Sequence, residues 1–173
     1  MLFWVHAAVA YLAYRGVLAV GSTDRPRDID VLAVVGAALL PDIVDKPLSF
    51  VVTSLPSRSV AHSFFMVALV SLVILYVTRR ANRWKFGAAS VFGYLSHIGA
   101  DLVDSQIIHE EPVVFVYWPL ITDYHHIDSI GGLLALVRPT PYVILQMLLT
   151  VLGVGLWVYD GKPGLPSNQA ESR

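Results

Sequence analysis

The chain has no cysteine. That excludes disulfides, thiolate metal sites and a cysteine nucleophile, so any bound metal must be held by nitrogen and oxygen. Charge is scarce as well. Only 14% of residues are Asp, Glu, Lys or Arg, where a soluble domain carries about 25%. The net charge is −1 and no basic stripe is present, so no nucleic-acid partner is expected. There is no G-x-S-x-G elbow, no H-E-x-x-H pair and no P-loop, which leaves a serine hydrolase and a zincin protease without support. No internal repeat is visible.

What the chain has in quantity is apolar sequence, 55% of its residues. Long runs of it predict an integral membrane protein, an all-α helical bundle of four to five segments. The first run, 2–20, lacks a basic start and a small-residue cleavage site, so it reads as a retained helix. A second run, 29–40, ends at Pro41. Its length is only about 18 Å at 1.5 Å per residue, short of a full crossing, and 41–59 reads as a loop broken by Pro41, Pro47 and Pro56. Further helices are expected over 60–78, 86–104 and 141–159. The short run 112–121, with Tyr117 and Trp118, suits a re-entrant or interfacial piece. Residues 1–160 make one membrane-embedded domain, and 161–173 a polar, disordered tail.

Basic residues set the orientation. Arg25, Arg27, Arg79, Arg80, Arg83, Lys85, Lys162 and Arg173 fall on one side, and Lys46, Arg58 and Arg138 on the other. Positive-inside bias puts the first set in the cytoplasm. The protein is then a multi-pass cell-membrane (inner-membrane) protein with its N-terminus outside.

Against that background the polar residues stand out. An ionisable side chain in a membrane segment is costly and so marks function by default. His97 and Asp101 form H-x-x-x-D, and i, i+4 spacing puts both on one helical face, with Asp104 continuing it. Asp42 and Asp45 follow the break at Pro41. His62 starts the third helix, and Arg58, four residues earlier, would share its face in a helical turn. His6 lies one turn into the first helix. If the segments alternate in direction, His6, Asp42, His62, His97 and Asp101 all fall at the outer end. Such a cluster of imidazoles and carboxylates predicts a metal site. Singly, each has an ordinary reading: a satisfied buried histidine, a helix-end carboxylate, a hydrogen-bonded His–Asp pair. His109, Glu110, Glu111, His125, His126 and Asp128, in a later loop, read as solvated residues that could supply one more ligand, a base or a lid.

The pattern resembles the YdjM-like, LexA-binding group of inner-membrane proteins, described as membrane-bound metal-dependent hydrolases. The likeness rests on His6, LLPDIVD, Arg58 with His62 and Ser63, His97 with Asp101, and a late WPL at 118–120. Members commonly place the second aspartate of the LPD motif closer, whereas here Val44 precedes Asp45. In motif style the group is similar to zinc-dependent phospholipases C. The resemblance implies a divalent metal, zinc first and manganese or iron next, held by His6, Asp42, His62, His97 and Asp101. Five ligands exceed what one four-coordinate zinc needs, so two ions are allowed. Catalytic roles fall to Asp45 or Asp101 as proton acceptor and to Arg58 as holder of an anionic group. A membrane-surface site suggests a lipid or lipid-linked ester or phosphoester as substrate. The rival class is non-enzymatic: a metal or proton carrier, or a structural polar cluster. Against a carrier, the cytoplasmic halves of the third and fourth helices are almost wholly apolar.

Overall fold

The computed structural model describes residues 1–21, 25–52, 54–108, 113–122 and 139–165. These form helices and no strand. In chain order they are α1 (Phe3–Gly21), α2 (Asp28–Val51), α3 (Phe64–Arg80), α4 (Trp84–Val103) and α5 (Pro141–Tyr159), with a π-helical turn at Asp104–Ile108 and a 3-10 turn at Val114–Tyr117.

Local chemistry explains several boundaries. Ser63 caps α3, its hydroxyl accepting from the Met66 amide, and Arg79 and Arg80 complement the helix dipole at the far end. Thr140 caps α5 ahead of Pro141, which sits where a missing N–H costs nothing. The second helix departs from the sequence expectation. Instead of stopping at Pro41, α2 runs for 24 residues with Pro41 and Pro47 inside it, about 36 Å at 1.5 Å per residue. Prolines are tolerated inside helices in apolar surroundings because neighbouring helices re-satisfy freed backbone groups. Residues 54–63 do not extend α3; they form turns and bends. Arg58 and His62 therefore share no helical face.

Small residues set the packing. A Cβ on Gly93 would lie 2.1 Å from the Val34 carbonyl oxygen, so α4 rides directly on the α2 backbone. Ala10, Ala33, Val34, Ala38 and Ala89 fill the surrounding core. Gly153 of α5 meets Ala8 of α1 in the same way. Such small-residue seams let helices approach where water gives no hydrophobic drive. Leu2 pairs with Gln146 near the start of each helix, and Tyr11 and Arg15 with Asp160 near the finish. α1 and α5 therefore run parallel.

The outward faces are apolar. Leu69, Leu72 and Val73 of α3 are exposed, as are Leu148, Val151 and Leu152 of α5, which suits a lipid solvent. By length and composition α1 and α5 qualify as membrane spans. Of the expected tail, 161–165 form a turn in which the Trp157 indole donates to the Pro163 carbonyl; 166–173 lie outside the described residues.

Candidate metal centre

Four elements meet at one end of the bundle. The start of α1 supplies His6, the second half of α2 supplies Asp42 and Asp45, the turn before α3 supplies Arg58 and His62, and the last turns of α4 supply His97 and Asp101. His6, Asp42, Asp45, His62, His97 and Asp101 are all buried. The side chains of the five expected ligands are thus brought together at one end of the bundle.

Their hydrogen bonds define which atoms remain available. His62 Nδ1 lies 2.7 Å from Asp45 Oδ2 and His97 Nδ1 lies 2.6 Å from the Ala38 carbonyl oxygen. Both partners are acceptors, so both rings carry a proton on Nδ1, and in a neutral ring Nε2 presents a lone pair. These two Nε2 atoms face each other at 3.0 Å. Asp101 Oδ2 completes the triangle, 3.3 Å from His62 Nε2 and 3.4 Å from His97 Nε2, with no hydrogen bond of its own among the described residues. On the other side, the His6 ring stacks on His97 at 3.9 Å. Its Nε2 is 3.4 Å from Asp101 Oδ1, and Asp42 Oδ1 is 3.8 Å from His62 Nε2.

The two Nε2 atoms and Asp101 Oδ2 therefore converge with no fixed donor between them among the described residues, while Arg58 and Lys46 engage the outer oxygens of Asp101 and Asp42. Such an arrangement repels itself unless a cation or proton sits inside it. The dimensions fit a metal. Ligand bonds of about 2.0–2.1 Å in a tetrahedron place donor atoms about 3.4 Å apart, close to the 3.0, 3.3 and 3.4 Å edges of the His62–His97–Asp101 face. His6, Asp42 and His97 form a second face that shares His97.

The surrounding shell fixes this geometry. Asp45 accepts from the Ser59 and Ala61 amides and from His62, filling both its oxygens; that suits orienting His62 better than taking a substrate proton. The Tyr94 hydroxyl donates to the Ala61 carbonyl oxygen at 2.5 Å. Arg58 donates to Ser105, Asp101 Oδ1 and Asp104, and its guanidinium stacks 5.5 Å from the Phe115 ring centre. Burial works against the Arg58 charge, but Asp101 and Asp104 outweigh it and raise its pKa. Asp104 also receives the α-ammonium group at 2.7 Å and the Tyr142 hydroxyl. Lys46 holds Asp42 Oδ2 at 2.8 Å and is the more exposed cation of the site, 39% against 16% for Arg58.

Sequence reasoning missed Lys46, Phe115, Tyr142 and Gln146. Lys46 had a signal, four residues after Asp42 on a continuous helix, hidden by the reading of 41–59 as a loop. Gln146 had another, a lone amide in an apolar helix. His109, Glu110, Glu111, His125, His126 and Asp128 lie outside the described residues.

A family model for the YdjM inner membrane protein matches residues 1–163. The chain belongs to the YdjM inner membrane protein family. No curated protein and no solved structure gives a match. Membership agrees with the motif resemblance and with the two apolar helices, and the YdjM match spans every residue of the site.

Proposed function

We propose that this YdjM-family chain is a membrane-bound, metal-dependent hydrolase acting on a lipid or lipid-linked ester or phosphoester. The observation that carries the reading is the pair of facing Nε2 atoms of His62 and His97, closed by Asp101 Oδ2. Zinc suits the nitrogen and oxygen donor set, with manganese or iron as further candidates. A divalent ion held there supplies Lewis acidity and brings the pKa of water down towards about 7.

The chain's own groups divide the remaining work. His62 and His97 bind through Nε2, oriented by Asp45 and the Ala38 carbonyl. His6 and Asp42 supply the second face. Asp101 turns one oxygen to the histidines and the other to Arg58, as ligand or proton acceptor. Arg58 is assigned to holding Asp101 in place, because Asp101, Asp104 and Ser105 already engage its guanidinium. In the bilayer we assign α1 to α5 as a multi-pass bundle. The site lies at the extracytoplasmic face, opposite the basic turn at 79–85, which the positive-inside rule places in the cytoplasm.

A shared proton would also satisfy the facing nitrogens, and makes the non-enzymatic carrier or structural cluster the second reading. Metal content by mass spectrometry separates them. Detergent-purified protein should carry one or two ions per chain, and a folded His97→Ala/Asp101→Ala variant none. Wild type free of metal after supply of Zn²⁺, Mn²⁺ and Fe²⁺ leaves the proton reading standing. A metal-loaded protein that cleaves no lipid ester or phosphoester overturns the substrate class alone.

A further inference from the structure

We propose that the opposite end of the bundle carries a binding pocket for a phosphate-bearing anion, the headgroup of an anionic phospholipid. A cavity of about 380 Å³ lies there between the start of α2 and the α3–α4 turn. Arg27, Arg83 and Lys85 line it, with Asn82, Trp84 and Phe86. Of the two acids in the first turn of α2, Asp28 and Asp30, Asp30 is buried and forked onto Arg27 at 2.7 and 2.8 Å. Arg83 and Lys85 have no ion pair among the described residues. Two cations without an ion pair among the described residues therefore line a concavity with a third, Arg27.

Backbone geometry adds to the positive potential. Asn82 takes a left-handed conformation, φ 56°, which turns the chain sharply into α4. The side chain of Arg83, at the N-cap position of α4, makes no capping hydrogen bond, so first-turn amides remain for an anion beside the cationic side chains. Arg79 and Arg80 lie just before the turn and deepen the field without lining the cavity.

The apolar walls favour a lipid over a small soluble anion. Trp84 and Ile29 are exposed, 56% and 49%, beside the basic groups, and Tyr76 is exposed one turn before the end of α3. Exposed aromatic rings next to arginine and lysine are the pattern of a membrane–water interface, and basic pockets between membrane helices suit phospholipid headgroups. Cations serving only to set topology need no shared concavity and no partner from α2. This pocket shares no residue with the histidine cluster and stands whether or not that cluster holds a metal.

The test is native mass spectrometry of the full chain released from detergent, titrated with phosphatidylglycerol, phosphatidylcholine or inorganic phosphate. One phosphatidylglycerol per chain should be retained in preference to phosphatidylcholine. Arg83→Gln/Lys85→Gln should weaken that retention roughly 30-fold, a factor of about five per charge. Arg79→Gln/Arg80→Gln, outside the pocket lining, should weaken it far less. Melting temperatures for both variants establish that they fold. Equal retention of the two lipids, or equal losses in the two variants, overturns the pocket. Phosphate adducts without lipid adducts overturn the lipid as its occupant.

Discussion

His62 and His97 point their Nε2 atoms at each other across 3.0 Å while each gives its Nδ1 proton to another acceptor, Asp45 and the Ala38 carbonyl. The tautomers are dictated by the partners, because a carboxylate and a carbonyl can only accept. An amide at position 45 would undo this on one side. In Asp45→Asn the new NH2 can donate to His62 Nδ1, which moves the ring proton to Nε2 and lets His62 hydrogen-bond His97 directly. The site would close on itself. We expect metal affinity to fall by about 10- to 100-fold, the usual effect of losing an orienting partner. His62→Ala should lose binding more completely. Competition with a chelating dye measures both, and an unchanged affinity in Asp45→Asn would sink the tautomer account.

Metal removal should be felt by the whole bundle. The ligands come from α1, α2, the turn before α3, and α4, so an ion bridges elements far apart in sequence. A ligand that binds only the folded state stabilises it by about 2.7 kcal/mol at a hundredfold excess over Kd. For a chain of this size that corresponds to roughly 5–10 °C in Tm. A chelator should lower the Tm of purified protein by this order, and added Zn²⁺ should restore it. A Tm indifferent to both would mean that the cluster is held by its own protons.

How far the sequence disclosed this arrangement differs from element to element. The apolar runs located α1, α3, α4 and α5 to within a few residues, because each helix is apolar along most of its length. Depth alone aligned His6, Asp42, His62, His97 and Asp101, since alternating helices bring equivalent ends together. What misled was proline. Pro41 and Pro47 each remove a backbone donor, which in water ends a helix, yet α2 continues through both. Close packing on α4 accompanies this stretch: Gly93 rides on Val34, and His97 donates to Ala38. Sequence spacing cannot announce such a partner. The turn at 54–63 was hidden for a related reason: it is fixed by long-range bonds, from the Ser59 and Ala61 amides to Asp45 and from the Tyr94 hydroxyl to the Ala61 carbonyl. Arg58 drew attention as a substrate anchor because a guanidinium forks onto anions; its bonds to Asp104 and Ser105 cross a sequence distance that spacing does not reveal.

The ties at the other end should govern stability without touching the site. Asp160 Oδ2 accepts from Tyr11 at 2.7 Å and from Arg15 at 3.0 Å, joining the end of α5 to α1. Asp160 is buried, and Arg15 is only 19% exposed. Asp160→Ala leaves a partly buried guanidinium and a phenol without their acceptor, at a cost of about 1–3 kcal/mol. Thermal unfolding should record that loss while metal content per folded chain stays at the wild-type value. Metal lost in proportion to Tm would show instead that the two ends are coupled.

Two glycines of α4 give opposite expectations from the same substitution. A Cβ at Gly93 would meet the Val34 carbonyl oxygen at 2.1 Å, a backbone atom that cannot swing aside, whereas Gly99 has nothing within 4 Å. Gly93→Ala must push α4 away from α2, at a cost of about 1–3 kcal/mol or more. His97 lies one turn further along α4 and bonds Ala38, one turn after Val34, so the same displacement should stretch that bond and weaken metal binding. Gly99→Ala gains helix propensity worth up to about 1 kcal/mol and should leave metal binding alone. Paired Tm and metal-affinity measurements decide the matter. A Gly93→Ala protein as stable and as metal-competent as wild type would mean that the α2–α4 seam does not set the position of His97.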